Sequence, residues 1–517
     1  MRMRWIAAAS LALLAQGQPL AAEPPLWFDG ARLSPQAEQA VALLSDATSH
    51  GLEPAEYHAE RLAGDVYRAR GGGLDPTALA ALDRQLTAAM ERYLTDLHRG
   101  RIAPEQLPRG YVEPTRASFD AAVALRTALV YNRLQEAARE AAPRFAQYQR
   151  LREALAHYRT LAGHPAWQSP LPTLPPGPRN APPKLEAGQP YAGVGVLRER
   201  LIALGDLPAT TPPAALYDDA VAAGVRAFQQ RHGLNPDGAL GKATFAQLQV
   251  PPAARVRQLE LMLERLRWTP LMQGPRMVVI NIPEFTLRAY EVQSEQIVVS
   301  ETMKIIVGKA MNTRTPLFTE QMRFIEFQPF WNVPPSIARG EVVPRLRRDP
   351  AYWEREGFEF VVGSSVVTAL SATLLDETVA GRARIRQRPG PKNALGDIKF
   401  VFPNNDNIYL HHTPAVSLFA RDRRDFSHGC IRVEQPVALA RFVLRDKPEW
   451  TEERIRAAMS EGGPITLRLA EPIPVLIAYG TAMVREGRVH FYEDIYGQDR
   501  RLDAALRQPR PALLPPT

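Results

Sequence analysis

The 517-residue sequence has a single cysteine, Cys430. That excludes a disulfide within the chain and a thiolate-rich metal cage. CXXC, HEXXH and paired-ligand spacings are missing, so no metal is expected, and the GXSXG elbow of serine hydrolases is missing too. No apolar run approaches the ~20 residues that a membrane-crossing helix needs. Nor is there a block of five or six like charges of the kind that forms an interaction tail.

What is present describes an ordinary globular protein of two to four domains, with 45% hydrophobic and 23% charged residues. Proline is abundant, 47 residues, so linkers or many turn-bounded strands must absorb it. A net charge of +8, spread along the chain, favours an anionic partner. No nucleic-acid recognition motif accompanies it, whereas an anionic cell-wall polymer suits the same charge. Arg2 and Arg4, the apolar run Trp5–Ala15 and small residues at Leu20-Ala21-Ala22 have the layout of a secretory signal peptide over residues 1–22. An uncleaved membrane anchor is the less favoured alternative. In an exported protein a lone thiol is a liability unless it is buried or used.

The fold expected is multidomain α+β. Residues 26–165 read as a helical scaffold: Ser34-Pro35 opens one helix, and Leu82, Leu86, Met90, Tyr93, Leu94 and Leu97 repeat at helical spacing. Seven prolines between Gln168 and Leu185 predict an extended linker, 166–186. Residues 187–250 predict a three-helix unit with Asp218 or Asp219 as a cap. A connecting helix follows over 251–273. From Arg276 the pattern becomes strand-like, predicting a mainly β domain over 274–470. A less regular insertion at 331–395 interrupts it, and a C-terminal segment, 471–517, follows.

The chemistry concentrates in residues 409–433. A cysteine acts as a nucleophile through its thiolate and needs a base within reach. His428 lies two residues before Cys430, on the same face if the chain is extended there. His411 lies nineteen before it, far enough for a strand, a crossing loop and a return alongside. Spacing alone does not choose between them. Gly429 leaves room for a substrate carbonyl, and the N–H groups of Gly429 and Cys430 are candidate oxyanion donors. Arg423 and Arg424 read as solvated loop charges rather than substrate contacts.

The unit with YDDAVAAGVRAFQQRHGLNPDGALG at its centre resembles the peptidoglycan-binding domain type 1. Ser427-His428-Gly429-Cys430-Ile431-Arg432, preceded by Leu410-His411-His412-Thr413, resembles the signature of the L,D-transpeptidases with a YkuD-type catalytic domain. The domain order is similar to that of the large Gram-negative members, in which the insertion is a lid. The resemblance implies Cys430 as nucleophile, His411 as base and the His412 carbonyl as third member of the triad. It assigns Ser427, His428, Gly429 and Arg432 to the oxyanion and substrate site. Tyr409, two before His411 on the same strand face, and Trp331, at the start of the insertion, are candidates for substrate contacts, with core filling as the alternative for both. It implies 3→3 cross-linking of peptidoglycan stem peptides in the periplasm, without cofactor or metal. Carbapenems are expected to acylate the thiol, and cell-wall synthesis proteins are expected partners. The alternatives are an L,D-carboxypeptidase, a lipoprotein-attaching transpeptidase and a non-catalytic wall-binding scaffold.

Overall fold

The computed structural model describes residues 25–513 apart from 31, 108–117, 178–180, 214, 271–273, 294–295 and 312. The signal-peptide reading at 1–22 lies outside them. The N-terminal unit opens with a hairpin of β1 (Phe28–Asp29) and β2 (Arg32–Leu33). Six helices follow: α1 (Pro35–Ser45), α2 (Ala59–Arg70), α3 (Pro76–Arg99), α4 (Ala121–Val130), α5 (Leu134–Ala141) and α6 (Ala146–Leu161). Asp75 caps α3 through Ala78 N–H, with Pro76 in the first turn where its missing donor is harmless. After α1 the chain tightens into a 3₁₀ turn, Asp46–His50, and ends at Gly51 with φ +69°.

The next unit pairs β3 (Lys184–Leu185) with β4 (Leu240–Gly241) beside α7 (Val194–Ala203), α8 (Asp219–Arg231) and α9 (Lys242–Gln249). Asp218 is the cap of α8. The proline-rich stretch is not a free linker. Leu171 and Leu185 are buried in the core of this unit, and the buried Arg200 donates to the carbonyls of Ala166, Ser169 and Leu248. An extended proline-rich chain leaves carbonyls unpaired, and a guanidinium fork collects them.

Helix α10 (Pro252–Trp268) does more than connect. Leu259, Leu263 and Leu266 enter the core of the helical unit, together with Ala482, Val484 and Phe491 from the far end of the chain. The β domain then starts with β5 (Arg276–Asn281), β6 (Thr286–Gln293), β7 (Gln296–Gly308) and β8 (Phe318–Phe327). The insertion at 331–395, expected to be less regular, is a folded subdomain. Its strands β9 (Trp331–Asn332), β10 (Phe358–Val362), β11 (Ser365–Val367) and β12 (Arg384–Gln387) form a sheet ordered β11-β10-β12-β9. Its own core centres on Trp353, Phe358 and Phe360. Strands this short, between helical turns, carry too few residues to display a period.

The main sheet resumes with β13 (Ile398–Val401), β14 (Leu410–His411), β15 (Asp425–Ser427), β16 (Ile431–Val433) and β17 (Ile465–Ala478). Its order is β15-β7-β16-β14-β13-β8-β17-β5-β6, and β6 also pairs with β7, closing the sheet on itself. The boundary expected after residue 470 falls inside β17, whose second half pairs with β5 from Val475 to Ala478. The C-terminal segment is therefore part of the sheet. It ends in the hairpin β18 (Ala482–Arg485) and β19 (Arg488–Phe491) and a helix, Gln498–Leu506. Among the described residues no helix is long and apolar enough to cross a membrane.

Candidate active site

Strands β14 and β16 lie side by side and parallel, Leu410 paired with Ile431 and His411 with Arg432. Leu410 and Ile431 point into the core. Alternation then turns His411 and Arg432 to the other face, and one step earlier on each strand Tyr409 and Cys430 stand beside each other. The four side chains form a square, with His411 diagonal to the thiol.

Each corner is fixed by local structure. Asn404 holds the approach to β14: its amide donates to the carbonyls of Phe402 and Ile408, and its carbonyl accepts from Ile408 N–H. Asn407 adopts φ +54°, and its carbonyl accepts from Cys430 Sγ at 3.5 Å. The Ile431 N–H donates to the Tyr409 carbonyl at 3.1 Å, extending the ladder to the square.

The turn before the thiol is braced on three sides. Ser427 Oγ donates to the Cys430 carbonyl (2.6 Å) and accepts from Gly429 N–H (3.1 Å). Thr315 Oγ1 donates to the Gly429 carbonyl (2.7 Å), and Tyr496 from the C-terminal segment donates to the Gly308 carbonyl (2.6 Å). Gly429 itself has φ +121°, and a Cβ there would stand 3.3 Å from Ile408.

That glycine turns the two histidines apart. The extended chain that would place His428 beside Cys430 is broken at Gly429, and the strands on either side end at Ser427 and begin at Ile431. His428 instead points to the inserted subdomain, Nε2 lying 2.6 Å from Glu341 Oε1. The Gly429 N–H is committed to Ser427, which leaves the Cys430 N–H without a protein acceptor among the described residues.

His411 is buried, and its Nδ1 lies 2.5 Å from the His412 carbonyl. A carbonyl only accepts, so Nδ1 carries the proton and Nε2 is the unprotonated nitrogen of the neutral ring. Burial, then the Arg432 charge, pulls the ring pKa down to about 3, against opposition from the backbones of His412 and Leu395. The thiol is pushed up from its ordinary value by burial, opposed by the Tyr409 N–H and hydroxyl and by the charges of Lys399 and Arg432. The resting pair is accordingly a neutral thiol and a neutral imidazole. The thiol's hydrogen bonds go to Asn407 and Tyr409, and none joins it to His411 among the described residues. Such contacts often tighten only when substrate is bound.

Tyr409 is a neighbour of the thiol rather than core filling, and it also hydrogen-bonds Trp331 at the entrance to the inserted subdomain. Arg432 has a buried Nε without a partner. Arg424 is no solvated charge: it is buried, donating to the carbonyls of Ile305 (3.2 Å), Phe285 (3.1 Å) and Arg421 (2.6 Å). Arg423 is tied up with Asp425 and Glu493. The sequence reading missed Lys399, whose ammonium sits 4.5 Å from the Tyr409 ring centre, Asp397, 3.1 Å from His412 Nδ1, and Glu341. Lys399 alone had a signal, a polar residue inside the apolar strand Ile398–Val401.

A histidine held neutral when folded, but titrating near 6.5 when unfolded, withdraws stability as pH falls between the two values. Each such group then removes about 1.4 kcal/mol per pH unit. His50, buried beside Tyr148 with its pKa also at about 3, acts in the same direction as His411. The melting temperature should therefore fall steadily from pH 7 to pH 5. A flat profile over that window would contradict the neutral histidines.

Residues 275–465 match the family described as "L,D-transpeptidase catalytic domain". Residues 191–248 match "Putative peptidoglycan binding domain", and residues 21–155 match "Scaffold domain". A Haemophilus influenzae protein named "Putative L,D-transpeptidase" is 30% identical over 251 residues, which is 48% of this chain and 49% of that protein. The chain thus spans about half the length of this curated relative. Among solved structures, an L,D-transpeptidase from Xylanimonas cellulosilytica aligns in full with 59% of this chain, at 17% identity and a TM-score of 0.19. Bd1075 of Bdellovibrio bacteriovorus aligns over 55% of its length and 45% of this chain, at 16% identity and 0.16. At such scores these two likenesses carry no argument.

Proposed function

We propose, from the match of residues 275–465 to the L,D-transpeptidase catalytic domain and of residues 191–248 to the peptidoglycan-binding domain, that the chain is an exported, periplasmic enzyme that forms 3→3 cross-links between peptidoglycan stems. The observation that supports this reading is the square of Tyr409, His411, Cys430 and Arg432 on one face of two parallel strands.

In this mechanism His411 Nε2 takes the thiol proton as Sγ attacks the carbonyl of the L-centre of the stem's diamino acid. Negative charge developing on the carbonyl oxygen meets the Cys430 N–H, the donor left free at the turn. Collapse breaks the bond to the terminal D-alanine, whose nitrogen receives the proton from His411, and leaves a thioester on Cys430. The side-chain amine of a second stem then attacks, His411 takes its proton, and the new amide forms as the thiol is restored. The His412 carbonyl holds the imidazole in the required tautomer throughout. Arg432 stands next to His411 with donors to offer a substrate carboxylate or carbonyl. Every step uses groups of this chain, with no metal or cofactor, and a carbapenem would be attacked in the same way.

The peptidoglycan-binding unit raises the local concentration of stems near the thiol. The test is mass spectrometry of a disaccharide-tetrapeptide incubated with the mature protein. Loss of D-alanine together with a 3→3 dimer is expected. Loss without dimer would replace the reading with a carboxypeptidase, or with an enzyme whose acceptor is a lipoprotein lysine. No change, with wall binding intact, would leave a wall-binding scaffold.

A further inference from the structure

A cavity of about 660 Å³ lies far from these steps, between α6, α10, the β18–β19 hairpin and one face of the sheet. It shares no residue with the square around the thiol. The face is the one that β5, β6, β7 and β17 turn away from the core: Val278, Ile280 and Val475 point inward, and Met277, Val279 and Leu476 line the cavity. Its volume lies within the roughly 300–1,000 Å³ of small-molecule sites.

The cavity is graded from one end to the other. At the end near Met277, the strand register places Tyr290 and then Val299 alongside, and Ile297 and Val299 are each 46% exposed at the mouth. At the other end, where β5 finishes, Arg288 and Arg485 converge on the single carboxylate of Glu284 at 2.7 and 3.1 Å. Arg265 closes this end. It is 7% exposed and engages Asp499 through Nη1, while its buried Nη2 has no acceptor. The Arg485 Nε is buried and unpartnered as well. Buried donors without acceptors are rare in folded proteins, and guanidinium donors lining a cavity call for a ligand oxygen. The described lining holds four arginines, Arg150, Arg265, Arg288 and Arg485, against one acid, Glu486. Met262, Met277 and Met483 give the wall the adaptable surface that suits a flexible chain.

We propose that this cavity binds a single-chain amphiphile with an anionic head, its head on Arg265 and Arg485 and its chain along Val279, Leu476 and Met277. The site is independent of the transpeptidase reading, and its test does not involve turnover. The full mature chain would be titrated with dodecanoate, with dodecyl phosphate and with the neutral dodecanol, each below its aggregation limit, by native mass spectrometry and calorimetry. Saturable binding of one dodecanoate or one dodecyl phosphate per chain is expected, at least tenfold tighter than dodecanol. The stronger of the two anions identifies the head as carboxylate or phosphate. Arg485→Gln, which leaves Arg288 as the counter-charge of Glu284, should weaken the anion at least tenfold and leave dodecanol unaffected. Val279→Trp should fill the cavity and abolish binding. Three results would each overturn the proposal: no saturable binding of either anion, equal binding of dodecanol, or undiminished anion binding in folded Arg485→Gln.

Discussion

Cys430→Ala is expected to bind the wall as the parent does and to turn over no substrate, a loss of at least about 10³-fold. The sulfur supplies the only thiol in the chain, so no neighbouring cysteine can take over. Its removal leaves the surroundings intact, because the backbone of residues 427–431 is held by Ser427, Thr315 and Tyr409 rather than by Sγ. The paired experiment is His411→Ala, where the thiol remains but the base is gone, and a loss of about 10²–10⁴-fold is expected. The two variants separate in a second readout, acylation by a carbapenem followed by intact mass. Cys430→Ala should show no adduct at any pH. His411→Ala should acylate slowly at neutral pH and recover towards the parent rate at high pH, where hydroxide replaces the base and thiolate forms unaided. The parent's own acid limb should not appear near 6.5, since burial and Arg432 place the His411 titration at about 3. An acid limb near 6.5 would mean that the imidazole is charged or exposed in the working enzyme. Retained turnover in Cys430→Ala would remove the thiol from the mechanism altogether.

The elements that were legible in the sequence are those whose signal is local. Ser34 with Pro35, and Asp218 ahead of α8, state a helix start in two or three residues, and the leucines of α3 repeat often enough to fix a buried face. The pairing of Cys430 with an upstream histidine was legible as a motif, but its geometry was not. Alternation offered His428 as a neighbour of the thiol on the assumption of an extended chain, and one glycine with a positive φ reverses that. The rest depends on contacts between residues far apart in sequence. Lys399 reaches the site from β13, Asp397 from the residue before it and Glu341 from the inserted subdomain, and Tyr496 braces Gly429 from about 70 residues downstream through Gly308 and Thr315. The proline-rich stretch shows the same limit in reverse. Its composition describes a chain that cannot be a helix, and only the buried Arg200, from the following unit, makes it part of a core.

The largest effect on stability is expected from Asp206→Ala, far from the thiol. Its carboxylate is fully buried and holds two guanidinium groups, Arg231 of α8 and Arg488 of the C-terminal hairpin, the latter at 2.6 Å. Arg231 reaches further, to Tyr158 of α6 and the Val489 carbonyl. Beside it His232 stacks on Phe228 and lies against Phe491. The peptidoglycan-binding unit, the helical unit and the C-terminal hairpin are therefore joined around one buried charge. Removing the acid leaves Arg231, buried and with its pKa raised by these partners, without a counter-charge. Breaking such a pair costs about 3–5 kcal/mol, which a surface ion pair would not approach. Asp206→Ala should lower the melting temperature by several degrees and make the peptidoglycan-binding unit the first to be cleaved in limited proteolysis. The double replacement Asp206→Leu with Arg231→Met, which removes both charges, should recover most of that loss. A single variant as stable as the parent would show that water already solvates Arg231 and that the junction is held by Phe228, His232 and Phe491 alone.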